Sequence, residues 1–147
     1  MSGALLGVYR QAGPVIVGGR GSRLFGDDGR SYLDFTSGIG VNALGYGDAT
    51  IARAILDAVA TGVVHTSNLF RTRPAAELAE ELVSRSFADR VFFCNSGAEA
   101  NEAAFKFARR WARERGGADK HEIVALRGSF HGRLFGTLAT TDRPVYQ

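Results

Sequence analysis

The sequence offers little material for disulfide, metal or membrane chemistry. It contains a single cysteine, Cys94, which cannot form an internal disulfide and has no cysteine or histidine nearby at metal-ligand spacing. A lone cysteine at the end of an apolar run is typical of a small core residue in a reducing compartment. No apolar run is long enough to span a bilayer, and residues 1–10 lack the basic start and apolar centre of a signal peptide. We therefore expect a cytoplasmic protein that binds no metal and no membrane.

Nucleotide and nucleic-acid motifs are also absent. Neither GxGxxG nor GxxxxGK[ST] occurs, which argues against dinucleotides and nucleoside triphosphates as ligands. The net charge is +3 and the isoelectric point is near 9.4. The densest group of basic residues falls near the end of one predicted helix and comprises Arg109, Arg110, Arg113 and Arg115. Because cations are favoured at helix C-termini, this group predicts a solvated helix end rather than a nucleic-acid partner.

The composition is that of a globular domain. With 45% apolar and 22% charged residues, a chain of this length should bury about two-thirds of its unfolded surface. Residues 36–47 carry four glycines, which indicates an irregular or ligand-facing loop. Around this loop, the patterns predict a strand at 15–17, a hairpin with arms at 23–25 and 30–35, and a helix capped by Asp48 that ends near Ala60.

From residue 74 onward, predicted helices and strands alternate. In order, the patterns indicate a helix from Pro74, a strand at 91–93, a helix over 98–115 and a strand at 122–126. This order is typical of an α/β fold with a mainly parallel sheet and helical crossovers. Ligands of such sheets bind beyond the carboxyl ends of the strands. The turn at 95–98 and the loop at 127–133 are therefore predicted to converge on one ligand.

The turn at 95–98 has the features of a phosphate site. A helix start presents unpaired backbone N–H groups and the positive end of its dipole, and the small residues Gly97 and Ala98 leave room for an anion. The same residues fit a capping box without a ligand, in which Ser96 accepts from the third helical amide and Glu99 reaches back. Spacing alone does not separate the two interpretations, but the predicted convergence of two loops favours the phosphate site.

Three short motifs are the most specific feature of the sequence. They are HTSNLF at 65–70, NSGAEANE at 95–102 and GSFHGR at 128–133. Together they resemble the class III aminotransferases, pyridoxal-phosphate enzymes of fold type I. The resemblance runs from about residue 14 to the end of the sequence, and within the family it is strongest to the acetylornithine aminotransferases. It implies the N-terminal part of this fold, with a small-domain hairpin and helix in residues 1–62 and the beginning of the large cofactor-binding domain in residues 63–147.

The resemblance implies pyridoxal 5′-phosphate as cofactor and suggests what individual residues do. The backbone amides of Gly97 and Ala98 would hold the cofactor phosphate, and Phe130 would lie against the pyridine ring. Arg133 would bind a substrate carboxylate, because a planar guanidinium matches a carboxylate with two hydrogen bonds. His131 would pack, form a hydrogen bond or contact the cofactor. Without the resemblance, Phe130 is an ordinary core aromatic and Arg133 a solvated loop arginine.

The reaction that the resemblance implies is transfer of the δ-amino group of N-acetylornithine to 2-oxoglutarate by a homodimer, a step of arginine biosynthesis. This reaction requires a lysine that forms a Schiff base with the cofactor. The sequence has two lysines. Lys106 lies well inside a predicted helix, where Glu102 is its expected partner, and Lys120 precedes a strand at the end opposite the ligand site. We therefore assign no catalytic residue in this chain, and expect an N-terminal fragment that is inactive by itself.

One segment departs from the family pattern. Where the family usually shows Gly-His-x-His-Pro, this sequence has Gly45 followed by Tyr-Gly-Asp-Ala at 46–49. Another ω-aminotransferase or an aminomutase is therefore an alternative within the family. An alternative from a different class is a non-catalytic phosphate-binding module.

Overall fold

The computed structural model describes residues 4–11, 13–63 and 65–146, and the chain divides into two compact units, Met1–Arg71 and Thr72–Gln147. The first unit contains β1 (Ile16–Arg20), β2 (Arg23–Gly26), β3 (Ser31–Leu33), α1 (Ser37–Gly40) and α2 (Ala49–Ala60). The second contains α3 (Arg73–Ser84), α4 (Gly97–Gly116), α5 (Phe135–Ala139) and a 3₁₀ turn at Pro144–Tyr146. The assignment of residues 1–62 and 63–147 to a small and a large domain stays a prediction.

The three strands of the first unit form an antiparallel sheet in the order β1–β2–β3. The turn between β2 and β3 depends on two residues with turn chemistry. The Asp28 carboxylate accepts a hydrogen bond from Arg30 N at 3.0 Å, and Gly29 has a φ of 75°, in the left-handed region. The predicted hairpin is confirmed, and the predicted strand at 15–17 is present as β1, one residue later.

The glycine-rich loop at 36–47 is fixed by one carboxylate. Asp34 accepts hydrogen bonds from the amides of Thr36 and Ser37 and from the hydroxyls of Thr36 and Tyr46, at 2.6 to 3.0 Å. The hydrogen bonds from Thr36 and Tyr46 lower the pKa of Asp34 to about 2. α1 lies inside this loop, and its residues Ser37 and Ile39 have φ of 49° and 64°, so this element is a left-handed turn. The irregular loop is confirmed, and its contact with a ligand stays a prediction.

The longer helices begin and end where local sequence signals place them. The Asp48 carboxylate caps α2 by accepting from the amides of Thr50 and Ile51, each at 2.9 Å. Pro74 lies in the first turn of α3. At the end of α4, Gly117 adopts a φ of 91°. The three predicted helices are therefore confirmed, with bounds that differ by about one or two residues.

The predicted parallel sheet is not confirmed. Residues 91–93 and 122–126 form no strand in the described chain, whose sheet is the antiparallel one of the first unit. A parallel strand exists only when a neighbour accepts and donates its backbone hydrogen bonds, and neither segment has such a neighbour here. The apolar pattern identified segments that suit strands, but the pattern does not supply the partner.

Neither unit encloses an apolar core among the described residues. The accessible surface is 13058 Å², whereas a folded monomer of this mass exposes about 7,300 Å². Phe87 and Val124, for example, are exposed over 102% and 94% of their surface. The prediction that about two-thirds of the unfolded surface is buried is therefore wrong. Cys94 is exposed rather than a core residue, because no second layer covers the segment that carries it.

Candidate functional site

The start of α4 is capped by its own side chains. The Ser96 hydroxyl accepts a hydrogen bond from Glu99 N at 3.2 Å. The Glu99 carboxylate reaches back and accepts from Asn95 N at 2.8 Å and from the Ser96 hydroxyl at 3.2 Å. Hydrogen bonds from Asn95 and Ser96 lower the pKa of this carboxyl. The capping box is therefore confirmed, except that Glu99 bonds the amide of Asn95 rather than that of Ser96.

This capping leaves the first two amides of α4 open. Neither the Gly97 nor the Ala98 N–H has a hydrogen-bond acceptor within the part of the chain that the structure describes. Gly97 is exposed, and a Cβ built on it would meet no other atom within 4 Å. An anion at this position would receive two N–H groups and the positive end of a 20-residue helix. The capping box and a phosphate site are compatible, because they use different amides.

The loop at 127–133 packs directly against this helix start. Gly132 is buried, and its approach to α4 is so close that an added Cβ would lie 2.7 Å from the Ala98 Cβ. The Asn101 side-chain amide donates to the His131 carbonyl at 2.7 Å. The structure thus brings together the two segments whose convergence the sequence predicts. Gly132 is the contact that makes this approach possible, because no larger residue fits there.

Two buried threonines hold the loop on its other side. The Thr141 hydroxyl accepts from His131 N at 3.0 Å and lies 3.1 Å from the Gly132 carbonyl and 2.8 Å from the Thr137 carbonyl. The Thr137 hydroxyl in turn accepts from Leu134 N at 3.0 Å. Thr137 and Thr141 are 0% and 1% exposed. No motif or periodicity marks these threonines in the sequence, so the sequence patterns miss them.

His131 has a structural environment. Its ring Nδ1 lies 2.8 Å from the Thr140 carbonyl oxygen. The ring meets that of Phe105 edge-on, with 6.2 Å between centroids. Of the roles considered for His131, packing and a hydrogen bond are the two that the structure shows.

Phe130 and Arg133 lie together in the structure. The Arg133 Cζ is 5.9 Å from the centre of the Phe130 ring and 5.6 Å from that of Tyr146. The two rings are 5.8 Å apart and tilted by 56°. These distances fit cation–π contacts, which hold the guanidinium beside the half-exposed Phe130. Tyr146 is a member of this cluster that the sequence motifs do not reveal.

Both lysines lie away from the start of α4. Lys106 is more than two turns along the helix, about 13 Å from its start. A Cβ on Gly116 would lie 2.8 Å from Lys120 Cγ, which places Lys120 at the opposite end of α4. The expected pair of Glu102 with Lys106 is wrong: the Glu102 carboxylate instead accepts from Thr137 N at 2.8 Å.

Comparison with known proteins assigns this arrangement to a class. The aminotransferase class-III family profile matches residues 9–147. The chain therefore belongs to the class-III aminotransferases, a family of pyridoxal-phosphate-dependent transaminases.

Particular relatives agree with the family. Acetylornithine aminotransferase of Neisseria meningitidis serogroup A is 53% identical over 126 residues, which cover 86% of this chain and 32% of that protein. Acetylornithine aminotransferase of Xanthomonas axonopodis pv. citri is 51% identical over 144 residues, 97% of this chain and 35% of that protein. The chain thus spans about a third of the length of the curated relatives that it matches.

Solved structures show the same fold. The crystal structure of N-acetylornithine aminotransferase from Stenotrophomonas maltophilia K279a matches with a TM-score of 0.74 and 47% identity, over 81% of this chain and 33% of that chain. Adenosylmethionine-8-amino-7-oxononanoate aminotransferase from Methanocaldococcus jannaschii matches with a TM-score of 0.89 and 26% identity, over 97% and 35% of the respective chains. The described architecture is therefore consistent with part of an α/β transaminase of fold type I.

Proposed function

We propose that this chain forms the phosphate end of a pyridoxal 5′-phosphate site in an aminotransferase. The observation that carries the proposal is the pair of open amides at Gly97 and Ala98, packed against the loop that bears Phe130 and Arg133. Backbone N–H groups at a helix start bind phosphate esters without any charged side chain, so these donors fit the group. When bound, the cofactor supplies an electron-accepting ring, and the protein supplies binding and orientation.

In this proposal, Phe130 lies against the cofactor ring and Arg133 holds a substrate carboxylate. Phe130 is 50% exposed, so a flat heterocycle can reach its face. The Arg133 guanidinium already lies beside two adjacent aromatic rings, and these contacts restrict its conformations before a substrate arrives. Such an arginine suits a two-point contact with a carboxylate.

The proposed reaction moves the δ-amino group of N-acetylornithine to 2-oxoglutarate, a step of arginine biosynthesis. Two relatives with 53% and 51% identity, both named acetylornithine aminotransferase, support this donor. We further propose that the parent enzyme is a cytoplasmic homodimer. In residues 4–11, 13–63 and 65–146, no helix combines the length and the apolar content that crossing a bilayer requires.

The chain alone is proposed to be inactive. The two lysines lie along and beyond α4 rather than at its start, so neither is placed to carry the cofactor. Borohydride reduction of the chain with pyridoxal 5′-phosphate should therefore leave no stoichiometric adduct on Lys106 or Lys120. A specific adduct accompanied by transaminase turnover would contradict this part of the proposal.

A different class-III donor is the second candidate. An engineered thermostable ω-transaminase structure matches with a TM-score of 0.84 and 28% identity, over 92% of this chain and 31% of that chain. The departure at 46–49 also begins in the loop that the hydrogen bond from Tyr46 to Asp34 organises, and it continues into the start of α2. Another ω-amine therefore remains the alternative donor.

A hybrid enzyme distinguishes these candidates. Residues 9–147 replace the matching segment of the Xanthomonas axonopodis relative, which aligns over 144 residues. Turnover is then measured with N-acetylornithine and with other ω-amines. We expect N-acetylornithine to be preferred.

In the hybrid, Arg133→Met should raise the KM for carboxylate substrates about a hundredfold, whereas Arg127→Met, at the start of the same loop, should leave it unchanged. Preference for another amine supports the second candidate, and cofactor binding without turnover supports a phosphate-binding module.

A further inference from the structure

We propose that Glu102 is a positioning residue that holds the loop carrying Phe130 and Arg133 at the phosphate site. Its Oε1 accepts from Thr137 N at 2.8 Å, between residues that are 35 positions apart. Thr137 is fully buried and Glu102 is half-buried, so this charge-assisted hydrogen bond is partly shielded from water. The inference rests on the proposed function, because that function is what gives Phe130 and Arg133 a ligand.

The chain leaves space for this carboxylate at Gly136. A Cβ on Gly136 would lie 2.8 and 2.9 Å from the two carboxylate oxygens of Glu102. The φ of Gly136 is outside the left-handed region, so the backbone conformation does not require glycine here. What does require glycine at position 136 is the close approach of the Glu102 carboxylate, which leaves no space for a side chain. The missing side chain at Gly136 and the amide of Thr137 thus both accommodate the Glu102 carboxylate at this position.

Residues of α4 form hydrogen bonds with the chain both before and after Arg133 in the sequence. Before it, the Asn101 side chain donates to the His131 carbonyl at 2.7 Å. After it, Glu102 accepts from Thr137 N. Both contacts come from the first two turns of α4, which also present the open amides. Loss of the Glu102 contact therefore frees one side of the Arg133 segment relative to the phosphate site.

The other carboxylates of α4 act locally. Glu99 caps the helix from which it projects. Glu114 pairs with Arg110, one turn away, on the exposed surface. Glu102 is thus the α4 carboxylate that the described structure joins to the loop region, and Glu114 is a matched control on the same helix.

The test compares Glu102→Ala, Glu102→Gln and Glu114→Ala in the full 147-residue chain. One readout is hydrogen exchange at the Thr137 amide, and the other is the rate at which phenylglyoxal modifies Arg133, resolved by mass spectrometry. Glu102→Ala should speed exchange about tenfold. It should also increase the rate at which the exposed Arg133 is modified, because the segment that carries Arg133 is held less firmly. Glu102→Gln should stay near the wild-type rates, because its amide oxygen still accepts from Thr137. Glu114→Ala should match the wild type in both readouts.

A second variant removes the contact while Glu102 stays in place. Gly136→Ala fills the space of the carboxylate and should reproduce the rates of Glu102→Ala. An unprotected Thr137 amide in the wild type, a Gln variant no better than the Ala variant, or an equal effect of Glu114→Ala overturns the proposal. Neither readout needs the cofactor. Failure of the wild type to bind pyridoxal 5′-phosphate would therefore contradict the proposed function, while these rates still decide the role of Glu102.

Discussion

Both ends of α4 carry groups that attract anions, but the groups differ: backbone amides beside a packed loop at one end, and charged side chains along a groove at the other. At the N-terminal end, two open amides lie beside a loop that is fixed by contacts with Ala98, Asn101 and Glu102. Toward the C-terminal end, a groove is lined by four basic side chains and one acidic one, namely Lys106, Arg109, Arg110, Arg113 and Glu114. Positive charge attracts anions of any shape, whereas oriented N–H groups beside a packed second segment select a phosphate with a group attached. This difference is why we propose that the ligand binds at the N-terminal end.

The contacts at the two ends also differ in reach. At the N-terminal end they join residues about 30 positions apart in the sequence, as from Asn101 to His131. At the C-terminal end the Arg110–Glu114 ion pair spans one helical turn, with both side chains more than half exposed. Exposed pairs of this kind stabilise a helix by a few tenths of a kcal/mol, about 0.3 to 0.5. The C-terminal half of α4 also makes one longer contact, from Arg109 Nε to the His121 carbonyl at 2.7 Å. The two ends therefore differ in how far apart the joined residues are, 30 and 35 positions at the N-terminal end against 12 at the C-terminal end.

The largest expected effect comes from Gly132→Ala, which would separate the loop from α4. The added methyl would meet Ala98 at 2.7 Å, and φ would stay at 135°, so crowding and strain together cost about 3 kcal/mol. Gly128→Ala in the same loop is the control, since its methyl meets nothing within 4 Å and the left-handed φ of 72° costs about 1 kcal/mol. Hydrogen exchange at the His131 amide, which lies in this loop and donates to the Thr141 hydroxyl, measures the effect of both substitutions. Equal effects would show that the loop does not depend on its contact with α4.

A charge placed at each end of α4 tests which end binds the cofactor. Gly97→Asp adds a carboxylate at the open amides, and should weaken binding of pyridoxal 5′-phosphate about tenfold or more. Ala118→Asp makes the same change of charge beside the basic groove, and should alter the Kd by about twofold at most at physiological ionic strength. Isothermal titration of the two variants checks this. The reverse order of effects would place the ligand in the groove.

The smallest expected effect is a dependence on pH at the start of α4. Hydrogen bonds from Asn95 and Ser96 lower the pKa of Glu99 from its ordinary value of 4.5. The capping contribution is therefore fully present above that value and is lost as the pH falls through the lower pKa of the folded state. Hydrogen exchange of the Asn95 amide, which donates to the Glu99 carboxylate, should show this loss of protection on acidification once the rates are corrected for intrinsic exchange. Glu99→Gln should remove most of the pH dependence. A variant that keeps the full dependence would assign it to another group.

Local signals explain the part of the structure that the sequence predicts correctly. The turn of the hairpin depends on Asp28 and Gly29, and α2 on the cap at Asp48, within a few residues of the elements that they set. The open amides at Gly97 and Ala98 are likewise predicted locally, because the capping residues Ser96 and Glu99 set the start of α4. The family motifs add Phe130 and Arg133, whose proximity to each other the structure shows.

The remaining features depend on partners that are distant in sequence. Helical spacing predicts Lys106 as the partner of Glu102, but a buried amide at Thr137 offers a better-shielded contact. The apolar segments at 91–93 and 122–126 suit strands, yet strand formation needs a neighbour that their own sequences do not specify. Burial of Thr137 and Thr141 likewise follows from the folded loop and from no local pattern.

The most direct test of the phosphate site is a titration of the ¹⁵N-labelled chain with pyridoxal 5′-phosphate, followed through the amide signals of α4. We predict saturable shifts of the Gly97 and Ala98 signals, with much smaller shifts when pyridoxal, which lacks the phosphate, is added instead. Shifts confined to Arg109, Arg110 and Arg113, with Gly97 and Ala98 unchanged, would contradict the assignment of the cofactor phosphate to the start of α4.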